Sequence, residues 1–293
     1  MKTIVQVNSL TKTYRKTNAL ENISLNISKG DIYGFVGKNG AGKTTLIRLL
    51  AGLIKPTSGE IRYRENNLKI GAVIESPACY PYLTAEENLM YYAIQQSIIF
   101  PRERVNEVLK FVGLSQAGKK VFKDFSLGMR QRLGLGLAIL NNPDFLILDE
   151  PVNGLDPEGI VEIRNIIKEL NEVHGTTILI SSHLLSELSM LATRYAFIHQ
   201  GKLIKEITKQ DLEHECKSEI SLLTSDNDKA LDLLTQAGYY LNTENKQLLI
   251  YNAAKTDMKK VGRILFDNGI YLQELAYKEE KLEDYFLNLL GED

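Results

Sequence analysis

The fold is decided by the stretch Gly37-Lys38-Asn39-Gly40-Ala41-Gly42-Lys43-Thr44. Its spacing is G-x-x-x-x-G-K-[ST], and it lies between an apolar segment at 31–36 that predicts a buried strand and a segment at 45–51 that predicts a helix. The glycines let successive backbone N–H groups turn towards phosphate oxygens, and the helix N-terminus adds partial positive charge. Lys43 is placed to reach the β- and γ-phosphates, and the Thr44 hydroxyl is placed to bind Mg²⁺. The stretch therefore predicts a site for a nucleoside triphosphate.

A second signature of a phosphate-binding site is an acidic pair at the end of an apolar segment. Residues 145–150 read Phe-Leu-Ile-Leu-Asp-Glu. A buried strand there delivers Asp149 to the Mg²⁺ shell and places Glu150, one residue on, to polarise an attacking water. An isolated Asp-Glu pair after an apolar run is often only the start of a loop. With a phosphate loop upstream, the pair indicates phosphoryl hydrolysis.

Two further residues are candidates for contact with the nucleotide because of their positions in the sequence. The strand predicted at 176–182 ends at His183, before a helix that begins at Leu184. Ligands of α/β sheets bind at the carboxyl ends of strands, although a lone histidine here would more often be a helix-start residue. Tyr14 precedes the phosphate loop and could stack on adenine, or it could be an ordinary aromatic at a strand end.

The remaining part of residues 1–209 predicts strands around a helical insertion. Segments 4–7, 20–27 and 69–74 predict strands, and 55–60 predicts a turn. Thr84 with Glu87 predicts an N-cap and capping box that open a helical subdomain at about 84–140. A helical insertion in a strand-rich nucleotide domain suggests a lever that contacts a partner.

Composition points to an ordinary globular protein of 293 residues, with room for one large domain and a small one. No apolar run approaches the eighteen or so residues of a membrane span. The alternating strand pattern at residues 4–7 leads us to expect no signal peptide. Cys79 and Cys216 form no C-x-x-C motif and suggest no disulfide framework. We expect a cytosolic protein that needs a separate partner for any work at a membrane.

Segment 210–293 predicts alternating strands and helices, typical of a small α+β accessory domain. From Asp211 onward it carries 9 Lys and Arg against 17 Asp and Glu, so it would repel a nucleic-acid backbone. We found no Cys/His cluster or nucleophile arrangement in it. A packing or dimer-stabilising role is favoured, and a ligand-sensing role is the alternative.

The order of the parts resembles the ATP-binding subunit of ABC transporters over roughly residues 3–205. The motifs that carry the resemblance are the phosphate loop, the helical insertion, a Ser-x-Gly helix start at 126–128, Leu-Asp-Glu-Pro at 148–151, Gly-Leu-Asp-Pro at 154–157 and His183. The resemblance implies an α/β P-loop ABC-type ATPase domain at 1–209 with a helical insertion, followed by the small α+β accessory domain at 210–293.

Within this family, the chain looks like the export branch that handles antibiotic peptides in bacitracin and lantibiotic resistance. Two departures from the usual family pattern support that placement. The usual Gln is Glu75 here, and the usual Leu-Ser-Gly-Gly-Gln signature is Phe125-Ser126-Leu127-Gly128-Met129. Both variants are similar to those of the peptide-resistance branch.

The family's mechanism implies a head-to-tail homodimer around two ATP molecules, with Mg²⁺ at each site. Ser126 and Gly128 of one subunit would contact the γ-phosphate held by the other subunit, and Asp156 would tie the two sites together. The residues expected at ATP share the phosphate loop or the family motifs and are Tyr14, Asn39, Gly40, Ala41, Gly42, Lys43, Thr44, Thr45, Glu75, Ser126, Gly128 and Asp156. The expected catalytic residues are Lys43, Glu150 and His183, and the expected Mg²⁺ ligands are Thr44, Glu75 and Asp149.

The departures have physical consequences. Leu127 replaces a glycine, so the backbone there must avoid positive φ or be strained. Glu75 loses an amide donor and adds a negative charge, which Mg²⁺ or a cation on the transporter must offset.

The resemblance implies a membrane-spanning permease as partner, a peripheral position on the inner face of the cell membrane, and no nucleic acid. The alternatives are a soluble ABC-type ATPase that acts on ribosomes or DNA, an ATP-dependent regulator with little turnover, and an importer subunit.

Overall fold

The computed structural model describes residues 2–65, 67–183, 185–216, 218–244 and 247–291. The chain forms two compact units, Met1–Lys209 and Gln210–Asp293. Within the described ranges, no helix is both long enough and apolar enough to cross a bilayer.

The first unit combines two sheets with helices. Its strands are β1 (Thr3–Tyr14), β2 (Thr17–Ser28), β3 (Ile32–Val36), β4 (Ser58–Tyr63), β5 (Ile70–Val73), β6 (Phe145–Asp149), β7 (Thr177–Ser182), β8 (Arg194–His199) and β9 (Lys202–Thr208). Its helices are α1 (Lys43–Leu50), α2 (Ala85–Gln95), α3 (Pro101–Phe111), α4 (Leu127–Ile139), α5 (Pro157–Glu172) and α6 (Leu185–Ser189). Leu184, where the sequence predicts that the last of these helices begins, lies outside the described residues.

The six-stranded sheet has the order β5-β6-β7-β3-β8-β9, parallel except for β9. Every residue of β3, β6 and β7 is buried, which explains why these strands read as continuous apolar runs. The register pairs Val36 with Ser182 and Asp149 with Ser181. The ends of these three strands therefore meet at one edge of the sheet, where ligands bind in α/β folds.

The second sheet is antiparallel, with the order β2-β1-β4. The sequence predicts two short strands before the phosphate loop, whereas the structure forms two strands of 12 residues with several register shifts. The predicted turn at 55–60 is wrong from Ser58 onward, where β4 begins. A Cβ at Gly59 would lie 2.3 Å from the Ser9 carbonyl oxygen. The absence of a side chain at Gly59 therefore lets β4 approach β1 closely, and it also permits the positive φ of this residue.

Both sheets and α1 share one core. It joins Val7 and Leu25 of the antiparallel sheet to Phe35 and Ile147 of the six-stranded sheet, around Leu46 of α1. The helix that follows the phosphate loop is therefore anchored on several sides by buried apolar side chains. This packing fixes the direction in which its N-terminus points.

The helical insertion contains α2, α3 and α4. The capping box is confirmed: the Thr84 hydroxyl accepts from the Glu87 N–H at 3.2 Å, and the Glu87 carboxylate accepts from the Thr84 N–H at 2.7 Å. Hydrogen bonds from the backbone also lower the pKa of Glu87. The three helices bury apolar residues such as Leu89, Val108 and Leu133, which give the insertion a core of its own.

The second unit has its own sheet and core. Its elements are α7 (Lys209–Glu215, which starts at the last residue of the first unit), β10 (Ser218–Thr224), α8 (Asn227–Gln236), β11 (Leu241–Glu244), β12 (Gln247–Tyr251), α9 (Asp257–Asp267), β13 (Leu272–Glu279) and α10 (Leu282–Leu290). The antiparallel order β11-β12-β10-β13 is that of a split β-α-β arrangement. Ile220, Leu234, Ile250 and Leu265 belong to its buried core.

Candidate nucleotide-binding site

A cleft of about 500 Å³ opens at the carboxyl edge of the six-stranded sheet. It is lined by Ala19, Asn39, Gly40, Gly42, Lys43, Thr44, Thr45, Glu150, Asn153 and His183. The strands β3, β6 and β7 deliver most of these residues, because each strand ends at this edge. Eight of the ten are residues for which the sequence predicts a role in ATP binding or hydrolysis; Ala19 and Asn153 were missed.

The phosphate loop adopts a backbone that requires glycine. Gly40 has a φ of 80° and Gly42 a φ of 108°. A Cβ at Gly42 would lie 2.6 Å from the Ala19 carbonyl oxygen, so any side chain there would collide with backbone. Gly42 caps α1 without a side-chain hydrogen bond, which leaves the helix N-terminus directed at the cleft for an anion.

Lys43 is buried inside the loop. Its ammonium donates to the Gly37 carbonyl at 2.7 Å and lies 3.4 Å from that of Lys38. It also lies 3.5 Å from Oε1 of Glu150. A buried ammonium held by carbonyls and one carboxylate is well placed to exchange those partners for phosphate oxygens.

Asp149 is held on two sides by hydroxyl groups. The Thr44 hydroxyl donates to Asp149 Oδ2 at 2.9 Å, and the fully buried Ser181 hydroxyl donates to Oδ1 at 2.5 Å. Mg²⁺ is usually bound through one or two carboxylates together with substrate phosphates and water. The paired oxygens of Thr44 and Asp149, beside the phosphate loop, fit that ion.

Glu150 has a left-handed backbone with a φ of 52°, which is uncommon for a residue with a side chain. Its N–H lies 3.1 Å from both the hydroxyl and the carbonyl of Ser181. Its Oε2 contacts Nδ1 of His183 and lies 3.4 Å from the His183 N–H. Strained backbone conformations are concentrated at active sites. At Glu150 the strained conformation accompanies a carboxylate that lines the cleft.

Six of the expected ATP contacts do not line the cleft: Tyr14, Ala41, Glu75, Ser126, Gly128 and Asp156. Ala41 is a buried residue of the phosphate loop, and Tyr14 is exposed, with the Lys12 ammonium 5.1 Å from its ring centre. Ser126 caps α4 by accepting from the Met129 N–H at 3.3 Å.

Asp156 caps the N-terminus of α5, where its carboxylate accepts a hydrogen bond from the Gly159 N–H at 2.9 Å. Leu127 is the first residue of α4 and has no positive φ, so its replacement of a glycine causes no backbone strain. Instead its Cδ2 lies 3.1 Å from the position of a Cβ at Gly154. The unusual signature residue therefore packs against the segment between Glu150 and Asp156.

Glu75 has a partner that the sequence does not predict. Its Oε1 lies 2.6 Å from the guanidinium of Arg48, in the last turn of α1. From the sequence we expect Mg²⁺ or a cation on the transporter to offset this charge, and the structure places Arg48 of this chain beside it as a further cation. The sequence carries no signal for the pair, since the two residues are 27 positions apart.

The comparisons with known proteins agree with this geometry. The model of the ABC transporter family matches residues 20–153. Bacitracin transport ATP-binding protein BcrA of Bacillus licheniformis is 42% identical over 303 residues, 99% of this chain and 98% of that protein. Lantibiotic transport ATP-binding protein SrtF of Streptococcus pyogenes is 43% identical over 213 residues, 69% of this chain and 90% of that protein. A solved dimeric ATP-binding cassette in a post-hydrolysis state, bound to ADP and Pi, matches with a TM-score of 0.65 at 27% identity, covering 70% of this chain and 99% of that chain.

Fold, cleft and relatives together define the class: a P-loop ATPase with the ABC cassette architecture. Within that class, the chain belongs to the ATP-binding subunits of ABC transporters.

Proposed function

We propose that this chain hydrolyses ATP with Mg²⁺ to drive a membrane exporter of antimicrobial peptides. The observation that carries the proposal is the convergence of Lys43, Thr44, Asp149, Glu150 and His183 at one edge of the sheet. These side chains supply a phosphate-binding cation, a pair of oxygen ligands, a carboxylate base and an imidazole. Similarity to bacitracin and lantibiotic transport proteins supports the substrate class.

The chemistry follows from the positions of these groups. The phosphate loop binds the β- and γ-phosphates of ATP, and the Lys43 ammonium exchanges the Gly37 carbonyl for phosphate oxygens. Thr44 and Asp149 would hold Mg²⁺, which would supply positive charge to neutralise the phosphate oxygens. Glu150 accepts a proton from the attacking water, and His183 orients both Glu150 and the γ-phosphate.

A head-to-tail dimer would complete each site. Ser126 and Asp156 are exposed helix caps that do not line the cleft of their own chain, and Gly128 lies in the first turn of α4. The N-terminus of α4 could then face the γ-phosphate held by a second copy, where its partial positive charge would be used. The solved dimeric cassette supports dimerisation.

The partner that crosses the membrane would be a permease, with this chain peripheral on the inner face. Three tyrosines on and before α2 are exposed, Tyr80 by 42%, Tyr82 by 74% and Tyr91 by 45%, which supports a protein contact on the helical insertion. Segment 210–293 would act as an accessory domain that packs or stabilises the dimer.

The experiment is a resistance assay in the native host. A strain that lacks this chain is complemented with wild type, Lys43→Ala, Glu150→Gln or Arg62→Gln, and growth is measured in graded bacitracin, a lantibiotic and an antibiotic that acts inside the cell. Arg62 is the control, because it forms an exposed ion pair with Glu60 outside the cleft. We expect only wild type and Arg62→Gln to restore resistance to one of the peptides. Restoration by Lys43→Ala would overturn the dependence of export on ATP bound at this site. The absence of a peptide phenotype in the deletion strain would overturn peptide export.

A further inference from the structure

We propose that Arg48 is a positioning residue that holds Glu75 away from the nucleotide cleft and competes with Mg²⁺ for its carboxylate. Binding of the Mg²⁺–nucleotide complex would then transfer Glu75 from Arg48 to the metal site. The proposal rests on the ATP- and Mg²⁺-binding role argued above, and it adds a regulatory partner to that site.

The helix geometry brings the two positions close together. Thr44 and Arg48 are four residues apart on α1, so they lie on one face of the helix, about 6 Å apart along its axis. Thr44 is the hydroxyl beside Asp149 that would bind Mg²⁺. Arg48 therefore lies on the same face of α1 as Thr44, one of the residues expected to hold the ion, and about one helical turn further along the chain.

The sheet places Glu75 at the same edge. Glu75 follows β5, and Val73 of that strand pairs in parallel with Leu148, the residue before Asp149. Glu75 itself has a φ of 60°, so a strained turn starts where the strand ends. Its side chain does not line the cleft and instead reaches Arg48 at 2.6 Å. A change of side-chain rotamer is the kind of motion that would redirect it.

The strength of the pair suits a reversible contact. The side chains of Arg48 and Glu75 are 39% and 63% exposed. An ion pair in such a setting favours the paired state by about two- to five-fold at most. Arg48 can therefore bias the position of Glu75 without trapping it. A glutamine at position 75 would be neutral, so it would have no charge for Arg48 to hold.

The test measures Mg²⁺-dependent binding of a fluorescent, non-hydrolysable ATP analogue to the full chain. The variants are Arg48→Gln, Arg48→Lys, Glu75→Gln and the double variant Arg48→Gln/Glu75→Gln. Arg62→Gln is the matched control, because Arg62 and Glu60 also form an exposed pair at 2.6 Å. Thermal unfolding without nucleotide establishes that each variant is folded.

We expect Arg48→Gln to lower the Mg²⁺ concentration at half-saturation two- to five-fold, with Arg48→Lys close to wild type. Binding of the analogue in EDTA should not change. In the Glu75→Gln background, Arg48→Gln should have no effect on the Mg²⁺ half-saturation. An equal shift in both backgrounds would mean that Arg48 acts through general electrostatics, and no shift in either would remove its role.

Failure of the underlying function gives a different result. A wild-type chain that binds no analogue, or binds it without any Mg²⁺ dependence, would contradict the ATP and Mg²⁺ site itself. Normal Mg²⁺-dependent binding with an unchanged Arg48→Gln variant would contradict only the role of Arg48.

Discussion

The buried hydroxyl of Ser181 offers the sharpest test of how the acidic pair is held. It donates to Oδ1 of Asp149 at 2.5 Å, and it lies 3.1 Å from the Glu150 N–H, which also has the Ser181 carbonyl at 3.1 Å. Ser181→Ala therefore removes one hydrogen bond from a buried carboxylate, while Glu150 keeps a backbone partner. We expect a loss of stability that comes mainly from Asp149.

The magnitude follows from the charge and burial of that carboxylate. A hydrogen bond to a charged group contributes about 1.5–3 kcal/mol. In a domain of about 200 residues, each kcal/mol lowers Tm by about 2–4 °C. The Ser181→Ala protein should therefore unfold roughly 3–12 °C below wild type in the absence of nucleotide.

The assay is thermal unfolding of the nucleotide-free chain, combined with a double-mutant cycle. Asp149→Asn is made alone and with Ser181→Ala, and the coupling between the two changes should be at least about 1 kcal/mol. Ser189→Ala is the control, because that hydroxyl donates to the Ser186 carbonyl near the surface and should change stability by less than about 0.5 kcal/mol. Additive effects of Ser181→Ala and Asp149→Asn would refute the reasoning.

Other changes test the remaining parts of the site. Glu150→Gln should bind ATP like wild type and accumulate a dimer. Its rate of phosphate release should fall by roughly 10²–10⁴-fold because the general base is lost. Unchanged hydrolysis would show that Glu150 is not the general base. Lys43→Ala should weaken binding of an ATP analogue by about 10- to 100-fold, since a buried charge-assisted contact is lost, and wild-type affinity would contradict the phosphate-loop assignment. Burial raises the pKa of the Cys79 thiol to about 12, and partial burial together with the negative charge of nearby glutamates raises that of Cys216 to about 11. At pH 8 both should therefore react with iodoacetamide more than about 100-fold more slowly than a free thiol. Complete labelling within minutes at that pH would contradict the raised pKa values of both thiols.

The sequence predicted the features that depend on short, local patterns. The phosphate loop, the capping box at Thr84 and the strand that ends at Asp149 are each encoded within a few consecutive residues. Their backbone needs are specific to residue type, such as the glycine at position 42, which no side chain could replace.

The contacts that the sequence did not predict join distant segments. Ser181 reaches Asp149 because β6 and β7 pair in register, and Arg48 reaches Glu75 because α1 contacts β6, the strand that pairs with β5. The residues next to Gly59 in the sequence predict a turn, but the conformation of Gly59 serves the pairing of β4 with β1. Such features depend on strand register and helix packing, which local spacing does not determine.

The most direct measurement of the central proposal is co-purification from the native membrane. An affinity tag is added to the chain, and membranes of its native host are solubilised in mild detergent. The proteins that bind to the tagged wild type and to tagged Glu150→Gln are then identified and quantified. The proposed function predicts a multi-span membrane protein in fixed stoichiometry with the tagged chain. Ribosomal proteins, nucleic acid or the tagged chain alone would contradict its role as the ATPase of a membrane exporter.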